Sequence, residues 1–235
     1  MNEINCLTKD GYVVVQSHKK TDDEIIHYFT EFNKKLGCVQ LADTKKYDDI
    51  TNDIWVNIKY DINFPSNKPW NSNTFIKLHT DNTNTNADLT ELVCLTPSQY
   101  SGHTCLIENE KVVELIKFLD DYENNNLFER ILNCEIKFPT SRKILEIKER
   151  PIFCFNYTQA MKFNNEKEDI IKEFDDFLQK ITLSNLMTEI KLERGDALIF
   201  DDSRFLHGRR SIIGSRHYLK CGINNFANSE CKDLL

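Results

Sequence analysis

The chain has no apolar run approaching the roughly 18 residues that suggest a membrane span. Its first residues, MNEINCLTKDGY, lack the basic-then-apolar order of a signal peptide. No membrane partner and a cytoplasmic location are therefore expected. Basic residues are not in excess: 30 Lys and Arg stand against 37 Asp and Glu, a formal net charge of −7. That balance argues against general nucleic-acid binding, because a phosphate backbone asks for a basic face. The eight cysteines are scattered and form no CxxC pair, so neither a disulfide framework nor a thiolate zinc site is expected. Several sit inside apolar runs (LVCL, IFCF), where a thiol behaves as a small buried hydrophobe. No internal repeat and no low-complexity linker divides the chain, and 1–235 is expected to form a single domain.

What is present is ordinary globular composition, 40% hydrophobic and 29% charged, enough for a real core. Apolar residues at helical spacing predict helices over 21–36, 110–122, 127–132 and 166–181. Alternating or β-branched runs predict strands over 11–16, 54–60, 75–79, 89–95, 104–108, 134–138 and 144–157. Four more are predicted over 187–192, 196–200, 204–206 and 216–223. Short strands thus flank a helical insertion, with one helix in front. The regular βαβ alternation of a parallel sheet is missing. The expected class is mainly β with flanking helices (α+β), arranged as a double-stranded β-helix, a jelly-roll or cupin-like barrel.

The chemistry-bearing residues begin at LHTDN. His79 and Asp81 are two apart, so on a strand they share a face and place an imidazole beside a carboxylate. His207, in FLHGRR after the β-like run GDALIF, supplies a third donor from a distant strand. Each piece alone is ordinary, since a histidine on a strand is commonly just a hydrogen-bonded residue. Together, two histidines and one carboxylate describe a non-haem iron(II) site that activates dioxygen, although such a donor set also suits zinc. Arg216 follows His207 by nine residues, the distance needed to round a turn and return on the next strand. There its planar fork can hold a carboxylate with two hydrogen bonds. A buried arginine needs such an anionic partner.

Three segments together resemble the taurine dioxygenase and clavaminate synthase-like group of iron(II)/2-oxoglutarate oxygenases: FIKLHTDNT, LVCLTPSQYSGHT, and DDSRFLHGRR with the following Arg216. The resemblance covers about residues 74–224. Ser101 replaces the first glycine of the family's GG-x-T turn, and Asp202 stands where asparagine is common. It implies Fe(II) held by His79, Asp81 and His207, with 2-oxoglutarate as co-substrate and O2 as oxidant. It also implies that Arg216 pairs with the distal carboxylate of 2-oxoglutarate and that Thr104 donates to the same group. Lys220, four residues past Arg216, stands where several members carry a basic residue that binds an anionic part of the substrate. Related halogenases lack the carboxylate ligand, so Asp81 implies hydroxylation or desaturation, with release of succinate and CO2.

The partner is expected to be a small polar molecule such as an amino acid or amino-acid derivative. Arg209 and Asn156 are further candidates for substrate contact. Loops 71–74 and 82–86 and the segment 155–163 are expected to line the pocket. His217 should face away from the site, and His103 reads as a loop residue. Two competing readings remain at this point: a protein hydroxylase or demethylase on the same barrel, and a non-catalytic metal-binding jelly-roll protein.

Overall fold

The computed structural model describes residues 3–63, 68–81, 87–138 and 140–224. Helix α1 (Glu3–Asp10) stops at Gly11, whose φ of 77° turns the chain into β1 (Tyr12–Gln16). Helix α2 (Asp22–Leu36) opens with a capping box. Thr21 Oγ1 accepts from the Glu24 amide at 3.3 Å, and the Glu24 carboxylate accepts from the Thr21 amide at 3.1 Å. Strands β2 (Cys38–Val39), β3 (Ile50–Thr51) and β4 (Trp55–Tyr60) follow, then a 3-10 turn at Pro69–Asn71. Next come β5 (Ile76–His79), β6 (Leu89–Thr96) and β7 (Thr104–Glu108).

The helical insertion contains α3 (Asn109–Glu123) and α4 (Leu127–Leu132). Two hairpins come after it, β8 (Glu135–Phe138) with β9 (Thr140–Lys143), and β10 (Leu145–Ile147) with β11 (Pro151–Phe153). Helices α5 (Tyr157–Phe163) and α6 (Glu168–Thr182) follow. The chain then runs through β12 (Thr188–Ile190), β13 (Asp196–Asp201), β14 (Phe205–Arg209) and β15 (Arg216–Asn224).

Two antiparallel sheets carry the architecture. The larger has the order β1-β13-β6-β15-β4-β3, with β2 also on β15, and the smaller has the order β12-β7-β14-β5. An apolar cluster containing Leu92, Phe200 and Tyr218 of the larger sheet with Leu106 and Phe205 of the smaller lies between them. Outside the larger sheet, Ile25, Phe29 and Leu36 of α2 pack on Val93, Ile199 and Leu219. Outside the smaller, Leu78, Ile107 and Leu206 meet α3 to α6 through Ile116, Ile131 and Phe174. Residues two apart on a strand point the same way. Thus β15 turns Arg216, Tyr218 and Lys220 inward, while Leu219 and Cys221 join the α2 cluster.

Several sequence expectations need correction. Among the described residues the two sheets do not pair with each other, so no closed barrel forms. The continuous strand predicted over 144–157 is a hairpin. Its turn falls at Lys148, Glu149 and Arg150, three charged residues that are exposed, and Asn156 then caps α5. The strand predicted over 204–206 extends to Arg209, and α1, α5, β2, β3 and β9 lie where the sequence predicts no such element. All seven cysteines among the described residues are free thiols. Among those residues, no helix is long and apolar enough to cross a membrane.

Candidate functional site

The smaller sheet brings the two histidines together. His79 at the end of β5 is the direct cross-strand partner of His207 on β14, and the ring centroids are 4.3 Å apart. Gly208 makes this pairing possible, because a Cβ there would lie 2.7 Å from the Ile76 carbonyl oxygen. Asp81 follows β5 at once, with Oδ1 3.9 Å from His79 Nε2 and Oδ2 3.4 Å from His207 Nε2. One donor atom from each of the three residues lies within 4.8 Å of the others, a group that could hold a metal ion.

The surroundings orient these donors. His79 Nδ1 is 2.8 Å from the Lys77 carbonyl oxygen, so that nitrogen carries the proton and Nε2 is left as the donor. Asp202 serves two of the three residues. Its Oδ1 accepts from the Asp81 amide at 3.1 Å and lies 3.2 Å from His207 Nδ1, near enough for an ion pair though off the line of a hydrogen bond. Asp202 is almost fully buried. The segment after β5 is clipped to the one before α5: the Thr80 amide donates to the Phe155 carbonyl at 2.9 Å, and Thr80 Oγ1 accepts from the Phe155 amide at 3.2 Å. That clip sets Asn156, Thr158 and Gln159 beside the three candidate donors.

Burial, with the His207 charge beside it, pushes His79 down to about 4. Burial opposes the charged form of His207 too, but Asp81 and Asp202 outweigh it and raise the group to about 9. Burial also works against the Asp81 carboxylate, yet Lys220 and the two histidines hold it well below the usual range. Lys220 Nζ donates directly to Asp81 Oδ2. His207 must therefore lose a proton, and Lys220 must yield its partner, before the trio can ligate a metal.

A cavity of about 260 Å³ lies between the sheets against these three side chains. Arg216 and Lys220 from the larger sheet line it, as do Thr104 and Arg209 from the smaller. Arg216 is buried, with its guanidinium carbon 3.6 Å from the Tyr218 ring centroid and its Nε without a hydrogen-bond partner. Among the described residues no acidic side chain pairs with it. Thr104 is buried and is the cross-strand partner of Arg209.

Two of the residues expected to touch substrate are already engaged. The terminal nitrogens of Arg209 donate to three main-chain carbonyls, Trp70 at 3.2 Å, Ser72 at 2.7 Å and Thr74 at 2.6 Å. It thus ties the 70–74 segment to the sheet. Asn156 lines the cavity, but its side-chain oxygen caps α5 by accepting from the Gln159 amide at 3.2 Å. His217 Nε2 lies 2.6 Å from Asn57 Oδ1, and His103 Nδ1 lies 3.2 Å from Glu189 Oε2. Neither histidine lines the cavity. Of the loops expected at the pocket, none of 71–74 lines it, although the preceding Trp70 does, and 82–86 lies outside the described residues; of 155–163, Asn156, Thr158 and Gln159 line it.

Sequence reasoning missed the Lys46, Tyr47 and Trp70 wall and the double role of Asp202. Only Asp202 had a signal, its place in the DDSRFLHGRR segment.

No protein-family model matches the chain, and no curated protein matches it. Solved structures do. PvcB, described as an Fe, alpha-ketoglutarate dependent oxygenase from an isonitrile synthetic pathway, gives a TM-score of 0.61 at 15% identity, over 93% of this chain and 77% of its own. Asparagine oxygenase (AsnO) gives 0.60 at 12% identity, over 94% and 76%. The non-heme iron oxygenase OrfP, in complex with Fe and alpha-ketoglutaric acid, gives 0.60 at 13% identity, over 94% and 77%. At these identities the likeness is one of fold: this chain shares the fold of these three oxygenases.

Proposed function

We propose that the chain is an Fe(II)- and 2-oxoglutarate-dependent oxygenase that hydroxylates or desaturates an amino acid or amino-acid derivative. In this reading residues 1–235 form one domain of the double-stranded β-helix type, its two facing sheets standing for the jelly roll. The observation that carries it is the pairing of two features across one cavity. His79, Asp81 and His207 offer a two-histidine, one-carboxylate donor set, and a buried arginine with no acidic partner among the described residues faces the same space. The first suits iron(II) with positions left open. The second suits a carboxylate of a small co-substrate.

The residues present fit both groups. His79 and His207 would bind the metal through Nε2, with Asp81 supplying the charge. Arg216 would take the far carboxylate of 2-oxoglutarate, its unpartnered Nε among the available donors, and Thr104 would add a hydroxyl donor. When bound, iron and 2-oxoglutarate supply oxidative decarboxylation coupled to substrate oxidation by O2, with succinate and CO2 as products. The chain itself positions and shields. Lys77 fixes the tautomer of His79, Asp202 steadies Asp81 and His207, and Arg209 holds the 70–74 wall over the cavity. Support for a small substrate comes from PvcB, AsnO and OrfP, which share the fold, and from the cavity's size.

The test is succinate formation from 2-oxoglutarate under oxygen with added iron(II). Wild type should turn over 2-oxoglutarate and be stimulated by some member of a panel of amino acids and their derivatives. His79→Ala should be inactive, and Arg216→Ala should need far more 2-oxoglutarate. Absence of turnover across the whole panel, with iron shown to be bound, would overturn the reading.

A further inference from the structure

The cavity beside the metal ligands is charged almost entirely with one sign. Lys46, Lys220, Arg209 and Arg216 line it, and among the described residues Asp81 is the single carboxylate to do so. That carboxylate is committed, to Lys220 in this structure and to the metal when one is bound. Arg216 is assigned to the co-substrate, and Arg209 donates to the carbonyls of the 70–74 segment. Lys46, and Lys220 once a metal takes Asp81 from it, are left to meet the substrate. Lys46 is half-buried, its ammonium 5.0 Å from the Tyr47 ring centroid. Tyr47 in turn meets Trp70 edge-on, centroids 5.6 Å apart at 70°. Val56 and Ile58 of β4 continue this wall as apolar surface.

A free amino acid suits this lining poorly. Its carboxylate would find two lysines, but its ammonium would face the same lysines with no acidic side chain left to pair with it. Placing like charges together in a partly buried site costs binding energy. Blocking the nitrogen as an amide removes that cost and keeps the carboxylate. On the oxygenase reading, we propose that the substrate is a carboxylate whose nitrogen is acylated or absent. Its carboxylate meets Lys46 and Lys220, and its apolar body lies on Tyr47, Trp70, Val56 and Ile58.

Four probes of one shape separate the charges: N-acetyl-L-phenylalanine, 3-phenylpropanoate, L-phenylalanine and L-phenylalaninamide. Each is titrated into the intact protein, as purified and again with iron(II) and 2-oxoglutarate under nitrogen, with tryptophan fluorescence as the readout. The first two should bind at least about tenfold more tightly than L-phenylalanine, roughly 1.4 kcal/mol, and the cationic amide most weakly. Lys46→Gln should shrink that preference several-fold. Equal binding of the zwitterion, no binding by any probe, or a preference unchanged in both Lys46→Gln and Lys220→Gln would each overturn the proposal. Succinate formed from 2-oxoglutarate under oxygen with iron(II), across the four probes and a panel of amino acids and their derivatives, is followed in parallel and reports on the oxygenase reading alone. If it is absent while the anion preference holds, the oxygenase reading fails and the ligand preference stands. If it is present and only free amino acids raise it, the substrate proposal fails and the oxygenase reading stands.

Discussion

Lys220 on β15 reaches across the cavity from the larger sheet and donates to Asp81, the carboxylate between the two histidines of the smaller. The candidate metal-binding carboxylate thus already has a cation beside it, the Lys220 ammonium. Removing one partner of a buried ion pair leaves the other charge uncompensated. This pair keeps some exposure, 20% and 14% for the two side chains. Lys220→Met should therefore destabilise the metal-free protein toward the low end of the roughly 3–5 kcal/mol seen for buried pairs. Added divalent metal should restore most of the loss, because a metal can replace the ammonium. Thermal unfolding with and without metal checks this; equal destabilisation in both states would contradict it.

Asp202 touches both the Asp81 amide and His207. Removing a residue that orients metal ligands costs roughly 10–100-fold in metal affinity. Asp202→Ala should lose affinity in that range, and Asp202→Asn should lose less, since an amide oxygen still accepts from the Asp81 amide. Competition with a chelator of known affinity measures both.

Gly208 lies where β14 and β5 come closest, and any Cβ would collide with the Ile76 carbonyl. Gly208→Ala should destabilise the fold by roughly 1–3 kcal/mol, as overpacking generally does. It should also part His207 from His79, so metal affinity falls more than in a surface variant of equal stability. Denaturant melts and metal titrations on the same samples separate the two effects.

Glu91 is a fully buried residue of β6, where it accepts from Asn33 Nδ2 and, at 3.3 Å, from the Cys221 thiol. Burial raises its carboxyl to about 8. With the folded value above the unfolded one, the folded state binds the extra proton. Glu91's contribution to stability is then complete below the ordinary carboxylate range, falls as the pH rises, and levels off above about 8. Glu91→Gln keeps the acceptor oxygen and cannot ionise. Relative to wild type it should gain on the order of a few kcal/mol between pH 5 and 8. Parallel pH-dependent denaturant melts test this, and identical pH profiles would contradict it.

The grouping of the candidate residues was legible in the sequence from their spacing: His79 and Asp81 two apart on one segment, and Arg216 and Lys220 four apart on one face of β15. The helices α2, α3 and α6 were legible from apolar stripes and, for α2, from its Thr21-Asp22 start. The commitments of these residues were not legible. The contacts of Lys220 with Asp81, and of Arg209 with the 70–74 carbonyls, join segments more than a hundred residues apart and depend on which strands become neighbours. Periodicity alone could not tell a closed barrel from two facing sheets. It also ran one strand through Lys148 to Arg150, where charge and Pro151 break it into a hairpin.

The central claim, that His79, Asp81 and His207 hold iron while Arg216 holds 2-oxoglutarate beside it, is tested most directly by titrating 2-oxoglutarate into the iron(II)-loaded protein under nitrogen. Wild type should develop a weak visible charge-transfer band, and zinc-loaded protein none. Arg216→Ala should need at least about tenfold more 2-oxoglutarate to reach the same band, a loss of roughly 1.4 kcal/mol. Iron bound without a band, or a midpoint unmoved by Arg216→Ala, would contradict the account.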